Sequence, residues 1–292
     1  MLKYLRGVNI YMSEKNSKGK TPEDYGFHMP EKKNSFKIEL NEKSSIKKII
    51  GVVSGKGGVG KSFVTSMLAS EMARRGYRVA VLDGDITGPS QTKAFGIHDK
   101  AMGDGKLIYP YITKNNIQVI STNMILDSDE TPVIWRGPMV ANILKQFYTD
   151  VVWDDVDYMF VDMPPGTSDV PLTAFQSFPL DGIVVVTCPQ ELVSMVVEKA
   201  INMANQMNVN VLGLVENMSY LECPNCKEKI EIFGKSHIQE VADKYAIPVL
   251  AKVPMRQEIS RSADEGTMED LEVEEIKAAV NYIEKVNSDT TR

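Results

Sequence analysis

One glycine-rich segment constrains the fold of this chain more than any other part of its sequence. Residues 54–62 read Ser-Gly-Lys-Gly-Gly-Val-Gly-Lys-Ser, between a β-branched apolar run at 49–54 and an amphipathic stretch at 62–75. A chain that leaves a buried strand through successive glycines and enters a helix turns several backbone N–H groups and a helix N-terminus toward one point, which favours anion binding. The segment therefore predicts a strand, a phosphate-binding loop and a helix in immediate succession.

Two phosphate-binding patterns overlap in this loop. Gly55, Gly57 and Gly60 fit the dinucleotide pattern G-x-G-x-x-G, whereas Gly55 and Gly60 with Lys61 and Ser62 fit the triphosphate pattern G-x-x-x-x-G-K-[ST]. A triphosphate site needs an ammonium at the β- and γ-phosphates and a hydroxyl on Mg²⁺, and a dinucleotide site needs neither. The Lys-Ser pair thus favours a nucleoside triphosphate, with a dinucleotide as the alternative.

From residue 46 onward, short apolar runs alternate with longer amphipathic stretches. Continuous apolar runs are typical of strands covered on both faces, and this alternation predicts an α/β fold with a mostly parallel sheet flanked by helices on both faces. The predicted strands are 49–54, 78–83, 117–122, 158–163, 182–187, 211–216 and 248–253. The predicted helices are 62–75, 139–149, 190–207, 236–245 and 272–286.

The first part of the chain differs from the rest in charge and composition. Residues 1–48 hold 11 Lys and Arg against 6 Asp and Glu, whereas the whole chain has a formal net charge of −6. The stretch 13–34 is polar and has little apolar periodicity, which is typical of a segment that cannot bury enough surface to fold. We therefore predict a flexible basic N-terminal arm at 1–45 and a single domain at 46–292.

Composition also limits the partners and the compartment. An acidic chain is poorly suited to binding the phosphate backbone of nucleic acid, and no apolar run approaches the ~20 residues of a membrane span. With three cysteines in 292 residues, a disulfide framework is excluded. We expect a cytoplasmic protein that binds neither nucleic acid nor membrane.

Acidic residues follow two of the predicted strands. Asp85 stands just beyond the strand that ends at Asp83, and Asp162 ends the strand that begins at Tyr158. Carboxylates at the carboxyl edge of a parallel sheet are well placed to orient an attacking water or to assist a metal ion. We predict that Asp85 positions water and that Asp162 lies near Mg²⁺, directly or through a water molecule.

A C-x-x-C pair, Cys223 and Cys226, follows the strand at 211–216. Two thiolates can chelate one soft metal ion or one edge of a cluster, but zinc and cubane clusters take four ligands. His237 is a lone residue on a predicted helix, and Cys188 is in an apolar context typical of the core. A symmetric homodimer would supply the two missing sulfurs; the alternatives are a redox pair and an incomplete zinc knuckle.

Together these segments resemble a known family. The loop with its additional Lys56 resembles the deviant Walker A motif of MinD/ParA/NifH-type P-loop ATPases. Further segments narrow the resemblance, over residues 46–270, to the Mrp/ApbC iron–sulfur cluster carriers. They are DGDITGPS at 83–90, VIWRGP at 133–138, DMPPGT at 162–167, ENMS at 216–219 and CPNC at 223–226.

The resemblance implies roles for individual residues of the nucleotide site. Lys61 would hold the β- and γ-phosphates, Ser62 would bind Mg²⁺, and Lys56 would reach the nucleotide of the partner subunit. Asp85 would position water, and Asp162 would be the Walker B-type acid. The implied nucleotide-binding set is Gly55, Lys56, Gly57, Gly58, Val59, Gly60, Lys61, Ser62, Phe63 and Asn217, with Lys56, Lys61 and Asp85 catalytic.

Three further expectations follow from the resemblance. Asn217 would recognise the adenine base, and Cys223 and Cys226 would bind a [4Fe–4S] cluster that bridges the dimer. Phe63 stands where the family usually has Thr, so nucleotide binding is expected to be weaker than is typical.

The resemblance, together with the loop and the cysteine pair, implies a Mg²⁺-dependent ATPase that carries iron–sulfur clusters to apo-proteins. Its expected partners are a second copy of the chain, apo iron–sulfur proteins and cluster-assembly scaffold proteins, and its expected cofactors are ATP, Mg²⁺ and the bridging cluster. Two alternatives are a MinD/ParA-like positioning ATPase and a zinc-stabilised NTPase without a cluster role. The acidic segment 269–285 argues against the first, because anionic lipid would repel it.

Overall fold

The computed structural model of the chain describes most of the predicted domain and the last part of the predicted arm. Several predicted segments lie outside the described residues: 1–37 of the arm, 133–136, Thr167, and the start of a predicted helix at 190–192. Side chains are not described at 137–139, 141, 193, 194, 196 and 287–289. The structure describes residues 38–85, 88, 90–125, 137–166, 171, 172, 175, 176, 178–189, 193–223 and 225–289.

Eight strands form a single sheet that is parallel except at one edge. Its strands are β1 (Ile46–Ser54), β2 (Val79–Asp83), β5 (Tyr111–Ile112), β6 (Gln118–Ile120), β7 (Val156–Asp162), β8 (Gly182–Thr187), β9 (Val211–Glu216) and β12 (Val249–Lys252). Their order across the sheet is β12-β9-β8-β1-β7-β2-β6-β5, and only β5 runs antiparallel to its neighbour. Two small hairpins, of β3 (Met102–Gly103) with β4 (Ile108–Tyr109) and of β10 (Leu221–Glu222) with β11 (Lys229–Ile230), stand apart from it.

The predicted α/β fold is confirmed. All six residues of β8 and of β9 are buried, which requires cover on both faces of the sheet. The described helices are α1 (Lys61–Arg74), α2 (Gln91–Ala94), α3 (Gly137–Thr149), α4 (Val193–Gln206), α5 (Ile238–Tyr245), α6 (Gln257–Glu265) and α7 (Glu274–Asp289). Helix α1 packs against α7, and α4 packs against α5.

The register of the central strands positions the site. In β2 and β7, Asp83 lies directly opposite Asp162, and in β1 and β7, Val52 lies opposite Asp162. Because these strands are parallel, their carboxyl ends form one edge, and the glycine-rich loop leaves β1 at that edge. The two acids and the loop are therefore neighbours, although about 80 to 100 residues separate β7 from β1 and β2 in the sequence.

The elements that the sequence did not predict are short or polar. Helix α6 has the sequence QEISRSADE, in which Ile259 and Ala263 are the buried residues, so its apolar periodicity is weak. The hairpin strands of two residues each are too short to show alternation. These elements are fixed by contacts with the rest of the domain and not by local propensity.

The structure describes the last eight residues of the predicted arm, so the arm as a whole stays a prediction. Within them, the Asn41 side chain donates hydrogen bonds to the carbonyl oxygens of Thr149 and Val151, both at 2.8 Å. The Ser44 hydroxyl donates to Val151 O at 3.1 Å. Residues 38–45 therefore contact the segment that joins α3 to β7.

Candidate functional site

The glycine-rich loop between β1 and α1 has the backbone that its sequence predicts. Gly58 and Gly60 have φ of 77° and 78°, a left-handed conformation that glycine adopts without strain. A Cβ on Gly60 would lie 2.1 Å from the Asn217 side-chain nitrogen, so only glycine fits there. That nitrogen donates a hydrogen bond to Val59 O at 3.0 Å. Asn217, predicted to recognise adenine, thus contacts the loop itself.

A cleft of about 570 Å³ opens beside the loop. Its lining includes apolar side chains beyond β9 and β12, such as Met218, Leu221 and Met255, together with Arg256. Polar backbone on one part of the lining and apolar side chains on another suit a phosphate chain attached to a flat base. From the predicted site the cleft lining contains Gly57, Gly58, Gly60, Lys61, Ser62, Phe63, Asp85 and Asn217.

Lys61 and Asp162 form a buried ion pair. The Lys61 ammonium binds Asp162 Oδ1, and the two side chains are 5% and 0% exposed. The Thr65 hydroxyl also donates to Oδ1, at 3.3 Å, and Gln91 Nε2 donates to Oδ2 at 2.8 Å. Both oxygens of Asp162 therefore have donors, and a phosphate group must compete with this carboxylate for Lys61.

Asp83 is the buried acid next to this pair. It accepts hydrogen bonds from the backbone N–H groups of Ser90 at 3.0 Å and Gln91 at 3.1 Å, and from the Ser121 hydroxyl at 3.1 Å. Burial, with the charge of Asp162 adding to it, raises the pKa of Asp83 to about 7. The N–H of Asp85 also donates to Asp83, at 3.2 Å. Asp83 therefore accepts hydrogen bonds from the start and from the end of the loop that carries Asp85.

This raised pKa predicts a pH dependence of stability. A carboxyl with a folded pKa near 7 and an ordinary unfolded pKa of about 4 binds an extra proton in the folded state between these values. Its contribution to the free energy of unfolding is present below about pH 4 and is lost as the pH rises through about 7. We expect Asp83→Asn to flatten this part of the pH profile, as measured by urea unfolding at several pH values. Parallel profiles for the two proteins would contradict this.

The donor set at the cleft fits Mg²⁺. The cation takes oxygen ligands, keeps several waters and is held by few protein groups together with phosphates. Ser62 and Asp85 supply a hydroxyl and a carboxylate to the cleft lining. Because both Asp162 oxygens already have donors, Asp162 suits contact through a water molecule better than direct ligation.

The cysteine pair lies on the hairpin of β10 and β11. Cys223 is half-buried and Cys226 is exposed, and both are free thiols. Backbone N–H groups of Cys226 and Asn225 donate to the Cys223 sulfur and lower its thiol pKa, so this thiol loses its proton more readily than an ordinary cysteine. Cys188 is buried, as predicted for a core residue, and burial raises its thiol pKa.

Glu216 anchors this hairpin to the sheet. It ends β9, is buried, and accepts hydrogen bonds from the hydroxyls of Ser219 and Ser236, which precede and follow the hairpin. Glu216 had no predicted role, and the same holds for Gln91 and for Asp83 as a loop anchor. Glu216 and Asp83 could have been predicted, because each is an acidic residue at the end of a buried strand. No sequence pattern points to Gln91.

Residues 45–288 match the profile of the ParA group described as NUBPL iron-transfer P-loop NTPase. The chain belongs to this family. An iron–sulfur cluster carrier protein of Clostridium perfringens is 46% identical over 234 residues, which cover 77% of this chain and 82% of the relative. One of Methanocaldococcus jannaschii is 41% identical over 225 residues, covering 76% and 78%.

Solved structures of other proteins share the fold. A nucleotide-binding protein from Archaeoglobus fulgidus in complex with ADP superimposes with a TM-score of 0.70 at 40% identity, covering 78% of this chain and 89% of that one. The cell division ATPase MinD of Pyrococcus furiosus gives a TM-score of 0.58 at 22% identity, covering 82% and 98%. The second likeness concerns the fold alone.

Two kinds of feature are absent from the described part of the chain. None of its helices has the length and apolar character needed to cross a bilayer. Nor do three or more His, Cys, Asp or Glu side chains within the described ranges form a group that could hold a metal ion.

Proposed function

We propose that this iron-transfer P-loop NTPase binds an iron–sulfur cluster between two copies of the chain and delivers it to apo-proteins in a cycle of ATP binding and hydrolysis. One observation carries the proposal: an accessible cysteine pair begins two residues beyond Leu221, which lines the candidate nucleotide cleft. The names of the relatives support it, since they are iron–sulfur cluster carriers that cover most of the domain. The scaffold proteins that load clusters are proposed as further partners.

The cluster is the cargo of this protein, held by thiolates. Cys223 and Cys226 offer two sulfurs, and the lowered thiol pKa of Cys223 favours the ligand form. A [4Fe–4S] cluster takes four such ligands. A second copy of the chain related by two-fold symmetry brings an identical pair to the same point. We place the protein in the cytoplasm, where the thiols stay reduced.

Apolar side chains near the cysteine pair provide a contact surface for the second copy. Ile230, Ile232 and Phe233, which we call the hairpin patch, are 45%, 50% and 41% exposed. Large apolar side chains grouped at this exposure are typical of a surface that a protein partner covers. Because the patch and the cysteines belong to one short segment, joining two pairs around a cluster would bring two patches together.

The hairpin patch predicts the effect of Ile232→Ser on dimerisation. In a symmetric dimer each substitution occurs twice, and burying one isoleucine contributes about 1.5 to 3 kcal/mol. We expect the cluster-loaded dimer to dissociate at least about tenfold more readily, as measured by sedimentation. Ile112→Ser is the matched control, because Ile112 is 52% exposed on the edge strand β5. Equal dimerisation of both variants and wild type would contradict the assignment.

The nucleotide half of the cycle depends on Lys61. In the structure this ammonium pairs with Asp162, and we propose that it exchanges this carboxylate for the β- and γ-phosphates when ATP enters. Ser62 and, through water, Asp162 would hold Mg²⁺, which neutralises phosphate charge when bound. Asp85 would orient the attacking water, and Lys56 would reach the nucleotide of the second copy.

A backbone connection joins the cleft to the cysteines. Met255 lines the cleft, and its N–H donates to Tyr220 O at 2.7 Å. Leu221 pairs with Met255 in a parallel bridge and starts strand β10, which ends directly before Cys223. A nucleotide that moves the Met255 segment would therefore move the base of the hairpin, and this offers a path from ATP to the exposure of the cluster.

The experiment that tests the proposal is anaerobic reconstitution of the full chain with iron and sulfide. We expect about two iron atoms per chain, because one [4Fe–4S] cluster serves two chains, with dimerisation that depends on the cluster. The loaded protein should activate an apo iron–sulfur enzyme, and ATP should change the transfer rate. Zinc bound in preference to iron, or a monomer that retains its iron, would refute the bridged carrier.

A further inference from the structure

Gln91 makes contacts that none of the predicted roles explains. It begins helix α2 and is fully buried. Its Nε2 donates to Asp162 Oδ2 at 2.8 Å and to the backbone carbonyl of Ser62 at 3.0 Å. Its Oε1 accepts from the Ser66 hydroxyl at 2.8 Å. One side chain thus connects the end of β7 to the first turn of α1.

The backbone of Gln91 adds a third connection. Its N–H donates to Asp83 Oδ2 at 3.1 Å, at the end of β2. Asp83 also accepts from the N–H of Asp85, so the loop that carries Asp85 begins and ends on the same carboxylate. Gln91 therefore contacts Asp83, which holds this loop, through its backbone, and Asp162, the partner of Lys61, through its side chain.

The pattern of donors and acceptors requires an amide at this position. The carboxylate of Asp162 and the carbonyl of Ser62 are both acceptors, and a primary amide supplies one hydrogen to each. The Gln91 oxygen then faces the Ser66 hydroxyl, and it shares the single hydrogen of that hydroxyl with the Ser62 carbonyl. Rotating the amide by 180° would set its oxygen against two acceptors, so the network fixes its orientation.

We infer that Gln91 is a positioning residue that holds Asp162 and the first turn of α1 in the arrangement that binding of Mg²⁺ with a nucleotide requires. The inference rests on the proposed function. When Lys61 leaves Asp162 for a phosphate, Oδ1 loses its charged partner, while Oδ2 keeps its hydrogen bond to Gln91. The carboxylate consequently keeps its direction, and Ser62, whose carbonyl binds the same amide, keeps its distance from it.

The test compares nucleotide affinity with and without the cation. Calorimetry with a non-hydrolysable ATP analogue is done on the full chain as wild type, Gln91→Met and Gln91→Glu, each in the presence and absence of Mg²⁺. Methionine has a side chain of similar length but no N–H group to donate. Glutamate has the same shape as glutamine, but an oxygen replaces the N–H donor. Removing a hydrogen-bond partner of a direct metal ligand typically costs roughly 10- to 100-fold in affinity. Because Asp162 is proposed to contact Mg²⁺ through water, we expect the gain in affinity from Mg²⁺ to fall by about tenfold, the lower end of this range, in both variants. In Gln91→Met, which adds no charge, the Mg²⁺-free affinity should stay within about threefold of wild type.

A buried glutamine elsewhere in the fold is the matched control. Gln118 on β6 donates to Asp154 O at 2.7 Å and accepts from Asp154 N at 2.9 Å, which makes it a buried amide with two hydrogen bonds and no contact with Asp162. Gln118→Met should lower the thermal midpoint and leave the gain from Mg²⁺ unchanged. If Mg²⁺ raises the nucleotide affinity of the Gln91 variants by the same factor as that of wild type, the inference is overturned.

Other outcomes separate the inference from the proposed function. Parallel losses of Mg²⁺-free affinity and thermal midpoint in the Gln91 variants, without a change in the Mg²⁺ gain, would show a merely structural residue and overturn the inference. Failure of both Gln91 variants to fold would do the same. A wild-type protein that binds no nucleotide would instead refute the proposed ATP cycle, and the inference with it.

Discussion

Lys61→Ala is expected to abolish ATP hydrolysis and to destabilise the domain at the same time. The substitution removes the ammonium proposed to hold the β- and γ-phosphates. It also leaves Asp162, which is fully buried, without its charged partner and next to Asp83. Removing one member of a buried ion pair typically costs about 3 to 5 kcal/mol. Steady-state hydrolysis and urea unfolding measure the two effects.

A double variant separates these two consequences. Asp162→Asn in the Lys61→Ala background removes the unpaired charge, because an amide of the same shape stays neutral. We expect most of the lost free energy of unfolding to return while hydrolysis stays absent. Undiminished hydrolysis in Lys61→Ala would contradict the assignment of the loop. An unchanged free energy of unfolding in the single variant would contradict the importance of the buried pair.

Removing both cysteines of the hairpin is expected to eliminate cluster binding. In Cys223→Ala/Cys226→Ala, reconstitution should leave almost no protein-bound iron, against about two atoms per wild-type chain, because all four proposed ligands of the dimer are lost. ATP binding should persist, since neither cysteine lines the cleft, whereas the part of ATP hydrolysis that needs Lys56 of the second copy should fall with the loss of the dimer. Iron analysis, visible absorbance and sedimentation measure the loss of the cluster and of the dimer it holds.

Cys188→Ala is the matched control for this experiment. Cys188 is the third free thiol of the chain and is buried in the core at the end of β8, away from the exposed hairpin. Its removal should lower stability slightly and leave the iron content unchanged. If the double variant bound as much iron as wild type, the carrier function would be refuted.

The relation between sequence and structure is clearest in the central strands. The predicted strands at 182–187 and 211–216 match β8 and β9 residue for residue, because a continuous apolar run has few alternatives to a buried parallel strand. The start of α1 at Lys61 was predicted within one residue, since glycines at 58 and 60 end the loop there. In contrast, α6 and the small hairpins were missed because their sequences are polar or very short.

The candidate site was predicted as a set of residues but not as an arrangement. Spacing alone identified the loop, Asp85, Asp162 and the cysteine pair as chemically active types. It did not show that Lys61 pairs with Asp162 or that Asn217 donates to the loop carbonyl of Val59. Both contacts join segments about 100 to 160 residues apart, and no local pattern records them.

The sequence by itself determined the strand-loop-helix unit, the parallel sheet around it and the presence of an accessible thiol pair. Local propensity and short-range spacing suffice for these, because the glycine conformations, the apolar runs and the C-x-x-C turn are properties of neighbouring residues. Only the tertiary structure decided which charges meet. The parallel register sets Asp83 opposite Asp162 and brings Gln91 onto both, and the energies of these buried contacts depend on desolvation that only the assembled domain provides.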